Sequence, residues 1–248
     1  MTAMPYDLSG SRILVTGAAG GIGAETALLC ARLGADLVLT DAKDCAGVER
    51  AVRDLGRRAD SRSADLCDPD AVRMLADWAG DVDCAVLAAG IYRVTDWDHD
   101  DWSAVLDATL DANLKAPAQL ARALLPRMAA RQQGRLVLLG SIVAVTGGSF
   151  PGVGPHYAMS KGGLHTLVRW LAARYTPQGV LINGVAPGIT DTPMVGVHDL
   201  SAALARHPMG RAARPAEIAW PIAFLCSPGA SFLSGAILDV NGGAMMRP

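Results

Sequence analysis

The sequence predicts an α/β fold: a single-domain, doubly wound, mostly parallel sheet of seven strands with helices on both faces. Three observations carry this. Short apolar runs alternate with longer amphipathic ones along the chain. The short runs are apolar at consecutive positions, as strands buried on both faces require. Strand–helix–strand alternation returns each strand parallel to the last through a right-handed crossover. With 248 residues, 51% of them apolar and 19% charged, the chain is long enough for one full sheet core, so 1–248 reads as one domain.

RILVT (12–16) reads as the first buried strand, followed by a Gly-rich turn and a helix over 21–33. DLVLT (36–40) is the second strand, and 46–55 is helical. A weak strand follows near 58–64, and Pro69 suits the first turn of the next helix. DCAVLAA (83–89) is the fourth strand. The stretch 102–131 is helical, with a bend or break expected at Pro117 and Pro126. RLVLLG (135–140) is the fifth strand, 156–175 a helix, VLING (180–184) the sixth strand and 235–240 the seventh. Pro221 inside the helical stretch 215–226 has no explanation in the sequence. Residues 192–212 read as a short substrate lid; Val195, Val197, Leu200 and Leu204, with His198 among them, predict a compact and largely apolar pocket. Ligands of such a sheet bind beyond its C-terminal strand ends.

Net charge is −2 with no basic block, which gives no electrostatic case for nucleic acid or an anionic membrane. Cys30, Cys45, Cys67, Cys84 and Cys226 are odd in number and scattered, with no CxxC pair, so neither a disulfide framework nor a metal site is expected. The first residues lack a basic region followed by an apolar core, and no apolar run reaches about 18 residues. A cytoplasmic protein is expected.

Thr16-Gly17-Ala18-Ala19-Gly20-Gly21-Ile22-Gly23 lies between the first strand and the first helix. Small residues there let the backbone turn sharply and bring helix N–H groups to a pyrophosphate. Gly17, Ala19, Gly21, Ile22 and Gly23 are therefore candidate dinucleotide contacts. Asp41 closes the second strand and can accept from ribose hydroxyls while repelling a 2′-phosphate. With Ala42 rather than Arg next to it, NAD is favoured over NADP; Lys43 counts the other way. Asp41 can instead cap the next helix. Asp65, beside Leu66, can reach an adenine or simply make a turn.

Tyr157 and Lys161 stand four apart on a predicted helix and share one face. A phenol is a poor base at neutral pH unless a cation stabilises its anion. Lowering its pKa by three units needs about 4 kcal/mol of differential stabilisation. Lys161 and the positive charge of an oxidised nicotinamide are the expected sources.

TGAAGGIG (16–23), Asn113, Ser141, YAMSK (157–161) and PGITDT (187–192) stand in one order on the predicted elements. In this the chain resembles the short-chain dehydrogenase/reductase family, over nearly its whole length. The resemblance implies a Rossmann fold, hydride transfer between an alcohol or carbonyl and a nicotinamide cofactor, and a homotetramer. It implies that Tyr157 exchanges the substrate proton and that Ser141 holds the substrate oxygen. Lys161 would bond the nicotinamide ribose, and Asn113 would hold a water linking Lys161 to solvent. Ala89 and Gly90 would leave room for the adenosine ribose, with Pro187 and Gly188 approaching the nicotinamide. The Ile189 main chain and the Thr192 side chain would bind its carboxamide.

The family's NNAG-like stretch is Leu87-Ala88-Ala89-Gly90 here, so different packing against the next element is expected. Ser141 precedes Tyr157 by more residues than is common in the family, with a Gly/Pro-rich loop (145–156) between them; Ser149 is the backup for Ser141. His156 either faces substrate or merely begins its helix. The leading expectation is an NAD-dependent dehydrogenase of a secondary alcohol, polyol or hydroxy compound. The rivals are an NADPH-dependent 3-oxoacyl-carrier-protein reductase and a catalytically silent NAD-binding sensor or scaffold.

Overall fold

The computed structural model describes residues 4–95, 97–148, 153–194 and 200–247. Its strands are β1 (Arg12–Thr16), β2 (Asp36–Asp41), β3 (Ala59–Ser63), β4 (Cys84–Leu87), β5 (Gly134–Leu139), β6 (Val180–Pro187) and β7 (Ile237–Val240). Its helices are α1 (Gly21–Arg32), α2 (Ala46–Asp54), α3 (Pro69–Ala79), α4 (Trp102–Leu110), α5 (Ala116–Ala130), α6 (Val143–Thr146), α7 (Pro155–Tyr175), α8 (Ser201–Ala205) and α9 (Pro215–Cys226).

The strands form one sheet in the order β3-β2-β1-β4-β5-β6-β7, and every neighbouring pair is parallel. Side-chain alternation sends Ile13 and Val15 of β1 to one face and Leu14 to the other. The first face is covered by α1 and α9, the second by α3, α5 and α7. The order reverses between β1 and β4, and the crevice at their C-terminal ends is where such sheets take ligands.

The long helical stretch is interrupted, but at neither proline. A π-helical turn, Asp111–Lys115, separates α4 from α5. Pro117 stands in the first turn of α5, and Pro126 lies within that continuous helix. Pro117 has no N–H for the carbonyl four residues back, which is that of Asn113, and the chain widens just before it. Pro221 likewise sits inside an unbroken α9, which buries Ile218, Ala219, Ile222 and Ala223 and packs on α1. Burial of that face outweighs the missing bond to the Glu217 carbonyl.

Three strand ends also differ from expectation. β6 runs on to Pro187, whose lack of an N–H is tolerated at the last pair, opposite Val240. β7 starts at Ile237 because Gly235, at φ +80°, is outside the extended region. β4 stops at Leu87, because the next residues turn toward the loop after β1. Of the lid residues, Leu200 and Leu204 are described at α8, while Val195, Val197, His198 and also Ser149 lie outside the described residues. Among the described residues no helix is long and apolar enough to cross a membrane, and no His/Cys/Asp/Glu cluster could hold a metal.

Candidate active site

The loop after β1 is built around close backbone approach. Gly17 has φ +70°, and a Cβ there would lie 2.9 Å from the Ala89 nitrogen. A Cβ on Gly23 would collide with the Gly17 carbonyl. Gly20 precedes α1 without any side-chain cap, so the first-turn N–H groups remain available to an anion. Thr192 reaches this loop from beyond β6: a Cβ on Gly21 would meet its methyl at 3.4 Å.

Asp41 braces the same loop. Its Oδ2 accepts from the Ala19 N–H at 3.2 Å and its Oδ1 from the Lys43 N–H at 3.0 Å. It does not cap α2, whose N-cap position is Cys45. Asp65 takes the turn role, accepting from the Cys67 N–H at 2.9 Å, and Leu66 packs half-buried against the core. A narrow cradle that needs glycine at 17 and 23, with uncapped helix donors and a carboxylate at its edge, fits the pyrophosphate and ribose of a dinucleotide.

The substitution of the asparagine pair is resolved by Thr16. Its buried hydroxyl accepts from the Ala89 N–H at 3.0 Å, tying the β4 exit to the β1 exit. Leu87 is buried in the core, and Gly17 packs against Ala88 and Ala89.

The β6 exit is braced in turn. The Gly188 N–H donates to the Val240 carbonyl at 3.0 Å, and a Cβ on Gly188 would lie 3.0 Å from Asn241 Cα. The Pro187 carbonyl accepts from the Ile142 N–H at 3.1 Å, and the Ile189 carbonyl from the Ala213 N–H at 2.9 Å.

Ser141 follows β5, while Tyr157 and Lys161 occupy the first two turns of α7. Lys161 is buried, and its Nζ donates to the Leu139 carbonyl at 2.8 Å. Burial lowers its pKa to about 8. The ammonium lies 5.7 Å from the centre of the Tyr157 ring. Burial, followed by the nearby Tyr92 phenol, pushes Tyr157 up to about 12; a side-chain hydrogen bond with Ser141 pulls the other way. Loss of water around the phenol sets this direction.

Asn113 is fully buried in the π-helical turn. Its Oδ1 accepts from the Ile91 N–H at 2.7 Å, and its Nδ2 donates to the Ile91 carbonyl at 2.9 Å and to Ser160 Oγ at 3.3 Å. The side chain is thus committed to protein partners rather than to a relay water. Pro117 has no N–H to donate to the Asn113 main-chain carbonyl. A Cβ on Gly90 would lie 2.9 Å from Asn113 Oδ1 and 3.8 Å from Lys161 Nζ, so the glycine keeps these groups close.

His156 stands in the first turn of α7. It is buried, and its Nε2 donates to the Arg93 carbonyl at 2.8 Å. Tyr92 and His165 were not singled out by motif spacing. Alternation from Gly90 along an extended segment is the signal that could have placed Tyr92 on the site side.

A dinucleotide cradle and a tyrosine–serine–lysine centre share the C-terminal edge of one parallel sheet, and that combination defines a nicotinamide-dependent oxidoreductase. Comparison with known proteins agrees. A family model described as enoyl-(acyl carrier protein) reductase matches residues 17–245. The chain is 40% identical to cis-4-hydroxycyclohexanecarboxylate dehydrogenase of Sinomonas cyclohexanicum, over 93% of this chain and 94% of that protein. It is 32% identical to a 3-oxoacyl-acyl-carrier-protein reductase of Vibrio cholerae, over 97% and 99%. A crystal structure titled as a putative NAD(P)-dependent gluconate 5-dehydrogenase from Beutenbergia cavernae, with NADP bound at low occupancy, has a TM-score of 0.91 at 33% identity, covering 97% and 99%. The chain belongs to the short-chain dehydrogenase/reductase family.

Proposed function

We propose that the protein is an NAD-dependent dehydrogenase of a secondary alcohol or hydroxy compound, with Tyr157 as general acid/base. The observation that carries this is the convergence of Ser141, Tyr157 and buried Lys161 at the sheet edge beside the glycine loop. With a dinucleotide's pyrophosphate at that loop, its nicotinamide would supply the hydride acceptor or donor and, when oxidised, a positive charge.

The residues of the chain do the rest. The Ser141 hydroxyl bonds the substrate oxygen. Tyr157 Oη takes the hydroxyl proton in oxidation and returns it in reduction. Lys161, charged below about pH 8, bonds the ribose and favours the phenolate as it forms. The main-chain carbonyl of Asn113 holds the water that passes the proton outward. Ile189 offers its N–H, and Thr192 its hydroxyl, to the carboxamide. Asp41 selects NAD by accepting from the ribose hydroxyls and repelling a 2′-phosphate.

Replacing Tyr157 by Phe should lower kcat at least about a thousandfold while NADH binding, read by fluorescence titration, persists. Retained turnover would refute the mechanism. Asp41→Ala should raise the NADPH/NADH ratio of kcat/KM; an unchanged ratio removes Asp41 from cofactor selection. The Vibrio cholerae relative favours a second reading, an NADPH-dependent 3-oxoacyl-thioester reductase. Turnover of an acetoacetyl thioester with NADPH, and of no secondary alcohol with NAD, would establish it.

A further inference from the structure

Tyr92 stands two residues past Gly90, in the segment that leaves β4. Its ring meets the Tyr157 ring edge-on, with centroids 5.1 Å apart and planes at 81°. The two phenols form an L-shaped corner. One wall carries the reacting hydroxyl. The other takes no part in the proton transfer derived above.

The corner is pinned from both sides. Asn113 bonds the N–H and the carbonyl of Ile91, immediately before Tyr92. His156 bonds the carbonyl of Arg93, immediately after it. The His156 ring is fixed in turn by Trp102, edge-on at 5.5 Å, and Trp102 by Trp97 at 4.8 Å. The main chain at Tyr92 cannot shift without breaking bonds to both α7 and the π-helical turn. The flanking segments add exposed apolar side chains: Val94 after β4, Val145 after β5 and Met194 after β6.

A carbinol held by Tyr157 and Ser141 must place its carbon skeleton against this corner. A saturated ring offers C–H groups to an aromatic face and has few rotors to freeze. An open polyol would press hydroxyls against the Tyr92 ring, where they lose water without gaining partners.

We infer that Tyr92 is a specificity-determining residue that selects an alicyclic secondary alcohol or ketone over an open-chain one. The inference rests on the dehydrogenase reading of Tyr157. It goes beyond that reading in naming the shape of the substrate and the side chain that chooses it.

The test is steady-state kcat/KM with NAD for cyclohexanol, 2-hexanol and a hexitol. It uses the wild-type protein and the Tyr92→Phe, Tyr92→Leu and Tyr92→Ala variants, each checked for NADH binding by fluorescence. The wild type should prefer cyclohexanol over 2-hexanol by roughly tenfold, and over the hexitol by more. Tyr92→Phe should keep the preference, since the ring and not its hydroxyl makes the wall. Tyr92→Ala should reduce the ratio at least about fivefold, mainly through KM for cyclohexanol. If the Ala variant no longer binds NADH, the same fall in Tyr92→Leu decides. A wild type that oxidises 2-hexanol or the hexitol as well as cyclohexanol overturns the inference and leaves the dehydrogenase reading intact. So does a ratio unmoved in both the Ala and the Leu variants. A wild type that oxidises none of the three overturns both.

Discussion

Tyr157 shows how far a motif can be read and where it stops. Its spacing from Lys161 puts both on one helix face, and the structure has them there, one turn apart on α7. The direction of its acidity was not legible, because burial is set by Tyr92, Ser141 and the turn beneath Lys161, all distant in sequence. Asn113 is a similar case: its position was readable, but its commitment to Ile91 and Ser160 was not. Ser141 has a testable part in this balance. Its hydrogen bond pulls the Tyr157 pKa down against burial. Ser141→Ala should therefore raise that pKa further. In alcohol oxidation the deprotonated phenol is the active form, so the rate climbs as pH rises toward that pKa. The variant's profile should move to higher pH, and kcat/KM at neutral pH should fall by about a hundredfold or more. A profile at the wild-type position would leave Ser141 only a substrate contact.

At the scale of elements, strands and helices were legible wherever apolar period and length agreed. The ends were not. β4 is short because Thr16 draws Ala89 out of the ladder, a side-chain bond that no periodicity announces. The break in the long helix precedes its proline, because what Pro117 removes is a partner for the Asn113 carbonyl four residues earlier. Pro117→Ala would supply that N–H. The π-helical turn should then close toward regular helix and carry Asn113 away from Ile91. Stability should fall as well, since the buried Asn113 side chain would lose its bonds to Ile91. Turnover should fall severalfold, with NADH affinity nearly kept. Paired kcat and melting measurements check this. A variant with wild-type kcat would mean that the Asn113 carbonyl has no part in the reaction.

The whole molecule is tied together at His165. It lies one turn beyond Lys161 on α7, almost fully buried, with its Nε2 unpartnered among the described residues and held so close to Gly140 that a Cβ there would collide with it. Burial first, then the charges of Arg247 and Arg169, drive its pKa down to about 4; Asp239 opposes them and Lys161 adds a little. Arg247 is itself paired with Asp239 on β7 through two bonds, at 2.6 and 2.9 Å. The histidine therefore senses the β5 exit, α7 and the C-terminal segment together. The sign of its effect on stability follows. In the unfolded chain it takes a proton near pH 6.5, and in the folded protein only near 4. Between those values the unfolded state binds more protons, so its contribution to stability is full above about pH 6.5 and lost as pH falls toward 4. His165→Gln removes the titration while leaving a side chain of similar reach. Melting temperatures taken from pH 7.5 to pH 4 should fall more steeply for the wild type than for the variant. The difference in slope should be about 2–4 °C per pH unit at its steepest. Two parallel curves would mean that His165 is reached by water, and that the junction of α7 with the C-terminal segment is looser than its burial requires.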